Sequence, residues 1–149
     1  MLTSLLKALS ASEPEPLSPE DCRLAVAALM VRLARADDHY TGVEKTMILS
    51  VLMDRYGVDE GAAEALRAEA EELETQSPDT VRFTKVVKSC VPYEERSNVV
   101  KSLWRVALAD GTRNFEEDGF LRLVVNLLGV NDRDSGLARQ AVIADLAKG

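Results

Sequence analysis

Apolar residues recur along most of the chain at steps of three and four, and β-branched residues are not gathered in alternating runs. That spacing lays them on one face of an α-helix, whereas a period of two would mark a strand. The first long segment follows Ser18-Pro19, a capping residue with proline at the first helical position. It predicts a helix to about Ala36 that is apolar on most sides, and therefore central and buried. Thr41-Gly42-Val43-Glu44 reads as a capping box opening a second helix, which Gly57 ends. Asp59 caps a third, acidic helix to about Glu74, with Ala62, Leu66, Ala70 and Leu73 as its apolar stripe. Glu64, Arg67 and Glu71 are spaced to pair along its outer face, which is either a partner surface or a solvated face. Ser77-Pro78 opens a fourth helix ending near Cys90, and Pro92 starts a fifth that runs to Ala109 and carries Trp104 as a core residue. Asn114-Phe115-Glu116-Glu117 is a second capping box, Gly129 a second stop, and a last helix spans about Asp132 to Ala147.

Ahead of these, Leu2, Leu5, Leu6 and Leu9 fall at helical spacing, and residues 10–18 form a linker broken by two prolines. The expected organisation is a short N-terminal helix and Pro-rich linker over 1–17, then one all-α domain over 18–149. That domain reads as a compact bundle of about seven helices built from two pseudo-symmetric helix–loop–helix repeats. Arg32-Leu33-Ala34-Arg35-Ala36-Asp37 aligns with Arg105-Val106-Ala107-Leu108-Ala109-Asp110 at a shift of 73 positions, and Thr41/Asn114 and Glu44/Glu117 keep that shift. Gly57-Val58-Asp59 then matches Gly129-Val130-Asn131 at a shift of 72. Two such units would pair about a pseudo-twofold axis, each burying the face that the other exposes.

At 149 residues the prior is a single domain, long enough to bury roughly 68–70% of its unfolded surface without staples. A net charge of -7 lacks the basic footprint of nucleic-acid binding and disfavours anionic membranes, while it suits cations or basic partners. The longest apolar run, Leu24 to Val31, is too short to span a membrane. The first nine residues lack the basic start of a secretory signal, so a cytoplasmic protein is expected. Cys22 and Cys90 lie far apart in apolar helical stretches with no CxxC spacing, and read as two reduced, buried thiols.

The candidate chemistry lies in the repeated acids. Asp37 and Asp110 each follow a helix directly, where a carboxylate meets the negative end of the helix dipole. A bound cation would explain that placement; so would an Asx-type turn. Glu44 and Glu117 stand at the third position of their helices, where Glu completes a capping box without a ligand. Arg32 and Arg105 are placed to neutralise the acids by ion pairing. Were the four carboxylates to converge, they would take up protons or bind a hard, oxygen-preferring cation: calcium, magnesium or manganese. His39, the only histidine, could add a nitrogen ligand or simply be solvated. The loops are not EF-hands, because the twelfth residues from Asp37 and Asp110 are Ile48 and Leu121. No Gly-rich phosphate loop, nucleophile elbow or second histidine supplies a catalytic constellation.

Ala36-Asp37 with Glu44, and Ala109-Asp110-Gly111 with Glu117, resemble the tellurite-resistance TerB-like family, which carries Ala-Asp-Gly and a Glu seven places after the Asp in each of two helical halves. The resemblance covers about Ser18 to the C-terminus, and the chain departs from it at Asp38, where Gly is usual, and at Arg113, where an apolar residue is usual. It implies a small helical bundle with Asp37, Glu44, Asp110 and Glu117 as metal ligands, in tellurite resistance, other stress responses or membrane-associated complexes. The expected function is a non-enzymatic domain that binds a divalent cation (Ca, Mg or Mn) and a protein partner. Its rivals are a metal-free helical interaction module and a metal-dependent hydrolase.

Overall fold

Ser18 opens the first long helix, its hydroxyl accepting from the Asp21 amide at 3.1 Å, with Pro19 in the first turn. The computed structural model describes residue 6 and residues 18–76, 79–109 and 115–148, with side chains in the last stretch from Asp118 onward. Seven α-helices follow one another in these residues: α1 (Pro19–Ala34), α2 (Gly42–Tyr56), α3 (Glu60–Gln76), α4 (Thr80–Cys90), α5 (Arg96–Ala107), α6 (Phe115–Leu127) and α7 (Asp132–Lys148). No strand occurs among the described residues, so the chain is an all-α bundle. The N-terminal helix and linker expected over 1–17 lie outside the described residues, apart from Leu6, which packs against the core.

α1 is the hub. It packs against every helix from α2 to α6, and α7 closes the bundle against α5. From Leu24 to Val31 every α1 side chain is buried, as an apolar run without a polar face requires. Around it sit Ile48 and Leu52 of α2, Leu73 of α3, Phe83 and Val87 of α4, Leu103 of α5 and Leu121 of α6, all fully buried. Trp104 is half-buried against this core, and its indole N–H donates to Ser135 of α7 at 3.1 Å.

The stop after α2 and the cap of α3 recur 72 positions later, after α6 and at α7. Gly57 and Gly129 end α2 and α6 with φ of +62° and +78°, a left-handed turn that a Cβ disfavours. Asp59 and Asn131 then cap α3 and α7, each side chain accepting an amide N–H at 2.8 Å.

The structure corrects several expectations. The described part of α4 starts at Thr80, where Asp79 caps it by accepting from the Arg82 amide at 2.8 Å, while Ser77-Pro78 lie outside the described residues. Pro92 opens a 3₁₀ turn over Tyr93–Glu95, and the α-helix proper begins at Arg96. On α3 the buried stripe runs through Ala63, Leu66, Ala70 and Leu73, whereas Ala62 is exposed in the capped first turn. Cys22 and Cys90 are not separate thiols: they form a disulfide between the first turn of α1 and the end of α4, with Cα atoms 5.4 Å apart. The packing of α1 on α4 joins residues 68 positions apart, a proximity that local spacing does not contain.

Candidate functional site

The loop from Arg35 to Thr41 turns the chain from α1 into α2. Asp38 N–H donates to the Arg35 carbonyl at 3.0 Å, and Asp38 takes φ +63°, the one non-glycine residue with positive φ among those described. Asp tolerates this region better than most side chains. The Asp37 carboxylate follows the end of α1 and accepts from the His39 backbone N–H at 2.9 Å, an Asx-type turn. The His39 ring is exposed and sets Nδ1 2.8 Å from the Asp37 carbonyl oxygen.

At the far end of the loop, Thr41 and Glu44 form the expected capping box. The Thr41 hydroxyl accepts from the Glu44 amide at 3.2 Å, and Glu44 Oε1 accepts from the Thr41 amide at 3.0 Å. This uses one carboxylate oxygen. The other, Oε2, is buried with no hydrogen-bond partner among the described residues, in a side chain belonging to a residue only 2% exposed. A bare carboxylate oxygen withheld from water is costly unless a cation or donor meets it. In this loop Glu44 Oε2 is therefore the atom that a cation, or a donor from outside the described residues, would stabilise.

Asp110 lies outside the described residues, and Glu117 occupies the first turn of α6 with its side chain outside them. Among the described residues no three His, Cys, Asp or Glu side chains gather as a metal site. The arginines expected near the acids have further partners. Arg32 pairs with Glu74 at 3.2 Å and Arg105 with Asp54 at 3.1 Å.

Tyr40 is a member of this loop that periodicity did not single out. Its ring is flanked by Arg35 at 5.0 Å and Lys45 at 4.8 Å, and its hydroxyl donates to Glu71 of α3 at 2.7 Å. Burial first, and the Glu71 carboxylate second, push the Tyr40 phenol far above its ordinary range. Arg35 adds a 2.7 Å ion pair to Glu74. The acid-bearing loop is thus pinned to α3 from one side. A lone tyrosine between two cations in sequence was the only available signal.

A cleft of about 700 Å³ lies elsewhere, walled by α2, α5 and α7 and lined by Arg55, Tyr56, Lys101, Arg105 and Val142 among others. No described helix is long and apolar enough to cross a membrane. A family model described as tellurite resistance protein TerB matches residues 23–140. No curated protein and no solved structure matches the chain.

Proposed function

Because the chain belongs to the TerB family of tellurite resistance proteins, we propose that it is a non-enzymatic binding domain holding a divalent cation through Asp37, Glu44, Asp110 and Glu117. The observation that carries this reading is the buried Glu44 Oε2, left unpartnered while Oε1 caps α2. All four donors are carboxylates, which favours calcium, magnesium or manganese. The matching stops at Gly57 and Gly129 support two related repeat units, and the reading requires these to bring the acid pairs to one centre. We place the domain in a stress response of the tellurite-resistance kind, acting with a protein partner and without nucleic acid. Its setting is taken as cytoplasmic, where the Cys22–Cys90 bond would be subject to reduction.

A metal-free interaction module is favoured by a different observation. Asp37 and Glu44 each already spend an oxygen on a local backbone bond. Melting curves of wild type, Glu44→Gln and Glu117→Gln, with EDTA and then with each cation, separate the two. Cation binding stabilises the native state by mass action, about 2.7 kcal/mol at a hundredfold excess over Kd. The cation reading expects a rise in wild type that both variants lose. Curves indifferent to calcium, magnesium and manganese would leave the module reading.

A further inference from the structure

Arg32 and Arg105 occupy the same place in the two repeats, yet the structure uses them differently. Arg32 is held by the Glu74 carboxylate, itself 15% exposed, by the Glu74 carbonyl and by the Thr80 hydroxyl, and it lies over the Phe83 ring. Arg105 opens onto the cleft of about 700 Å³ between α2, α5 and α7. Among the described residues it reaches Asp54, whose side chain is 65% exposed, and the Ser50 hydroxyl at 3.4 Å. A guanidinium has five N–H donors, so most of this one has no partner among the described residues.

Two further cations line the same cleft with donors to spare. Lys101, one turn before Arg105, sits 3.7 Å from an Asp145 carboxylate that is 63% exposed, too far for a hydrogen bond. Arg55 of α2 spends its Nε on the Tyr56 hydroxyl at 3.2 Å. Three acids line the cleft as well, Asp54, Glu95 and Asp145; all three are exposed and stand at the rim, and Arg105 and Lys101 are sunk more deeply than the Asp54 and Asp145 they face. Exposed ion pairs of this kind hold weakly and are screened by salt, so an incoming anion can replace Asp54 and Asp145. Tyr56, Val142 and Leu146 add an apolar wall, and the cleft volume falls in the range of small-molecule sites.

We infer that this cleft binds a small organic oxyanion, its carboxylate or phosphate held by Arg105, Lys101 and Arg55 and its body set against Tyr56, Val142 and Leu146. The guanidinium of Arg105 offers paired donors that match either headgroup. The inference does not depend on the cation at Glu44, since the donors it uses are the ammonium and guanidinium groups of this separate cleft.

The test is titration of the full chain, in EDTA and at constant ionic strength, with benzoate, phenyl phosphate and inorganic phosphate, followed by nuclear magnetic resonance. At least one ring-bearing anion should bind saturably at millimolar concentration and shift the Arg105 Nε–H signal together with amides of α5 and α7. It should bind more tightly than inorganic phosphate, and the preference between the two ring anions identifies the headgroup. Lys101→Gln and Arg105→Gln should each weaken binding about tenfold, the size of one charge-assisted hydrogen bond. Lys101 is partly exposed, so its variant decides the matter even if Arg105→Gln does not fold. Absence of saturable binding by both ring anions would overturn the inference, as would binding that Lys101→Gln leaves intact or shifts confined to other helices.

Discussion

Tyr40 and Glu71 meet at 2.7 Å, phenol to carboxylate, joining the loop after α1 to the outer half of α3. The neutral phenol is the form this contact favours, and burial favours it further. An unfolded tyrosine loses its proton near pH 10, whereas the folded one retains it. The contribution is therefore complete below about pH 10 and is lost as pH rises above that value. Tyr40→Phe should cost about 1–2 kcal/mol at neutral pH and flatten the alkaline fall in stability. Tyr56, also raised by burial, should leave part of that slope in place. Denaturant titrations of both proteins from neutral pH to beyond pH 10 check this.

Glu71 should also separate from its acidic neighbours. Glu64 and Glu72 are exposed, and changing both to Gln should move stability by less than about 0.5 kcal/mol. Glu71 accepts the hydrogen bond of the Tyr40 hydroxyl and lies 3.8 Å from Arg67 Nε, a buried nitrogen with no hydrogen-bond partner among the described residues. Glu71→Gln should therefore cost about 1–3 kcal/mol. Equal effects at the three positions, measured by urea denaturation, would contradict this ordering.

Asp38 holds the left-handed position of the loop at φ +63°. Gly adopts that region without a Cβ penalty, while a β-branched residue is strained there. Asp38→Gly should leave stability unchanged or raise it slightly, and Asp38→Val should lower it by about 1–2 kcal/mol. Thermal melts of the two variants beside wild type give the comparison.

Reduction should weaken the fold. The Cys22–Cys90 bond closes a separation of 68 residues, and loop-entropy reasoning assigns such a cross-link about 4 kcal/mol. Dithiothreitol, or Cys22→Ser with Cys90→Ser, should lower stability by about 2–4 kcal/mol. Neither treatment should add to the other. Alkylation of the protein in cells, read by mass spectrometry, reports how much of the pair is oxidised there.

Much of this architecture was legible because its signals are local. Ser18, Thr41, Gly57 and Gly129 each act within one turn of chain, and each sits where its chemistry placed it. The apolar run through Leu29 named α1 as the buried hub for the same reason. What spacing could not carry were contacts made across the bundle: Cys22 with Cys90, Tyr40 with Glu71, and the cleft that three helices form around Arg105. At the candidate cation site, Glu44 was visible as a cap, but its second oxygen became notable only once burial was known. Ala63 rather than Ala62 lies on the buried stripe of α3, because a step from 62 to 66 and one from 63 to 66 are both helical, and only packing chooses between them.

The bond between Cys22 and Cys90 also makes residues 22–90 a closed ring, with α2, α3 and the acid-bearing loop inside it. A pull applied at the two ends of the chain travels through the sulfur atoms and bypasses that ring. The 68-residue span, roughly 230 Å when drawn straight, stays hidden from the force until the bond is reduced. The reach of the unravelled chain is then set by its thiol chemistry, and the loop carrying Asp37 and Glu44 is mechanically shielded while the ring stays shut.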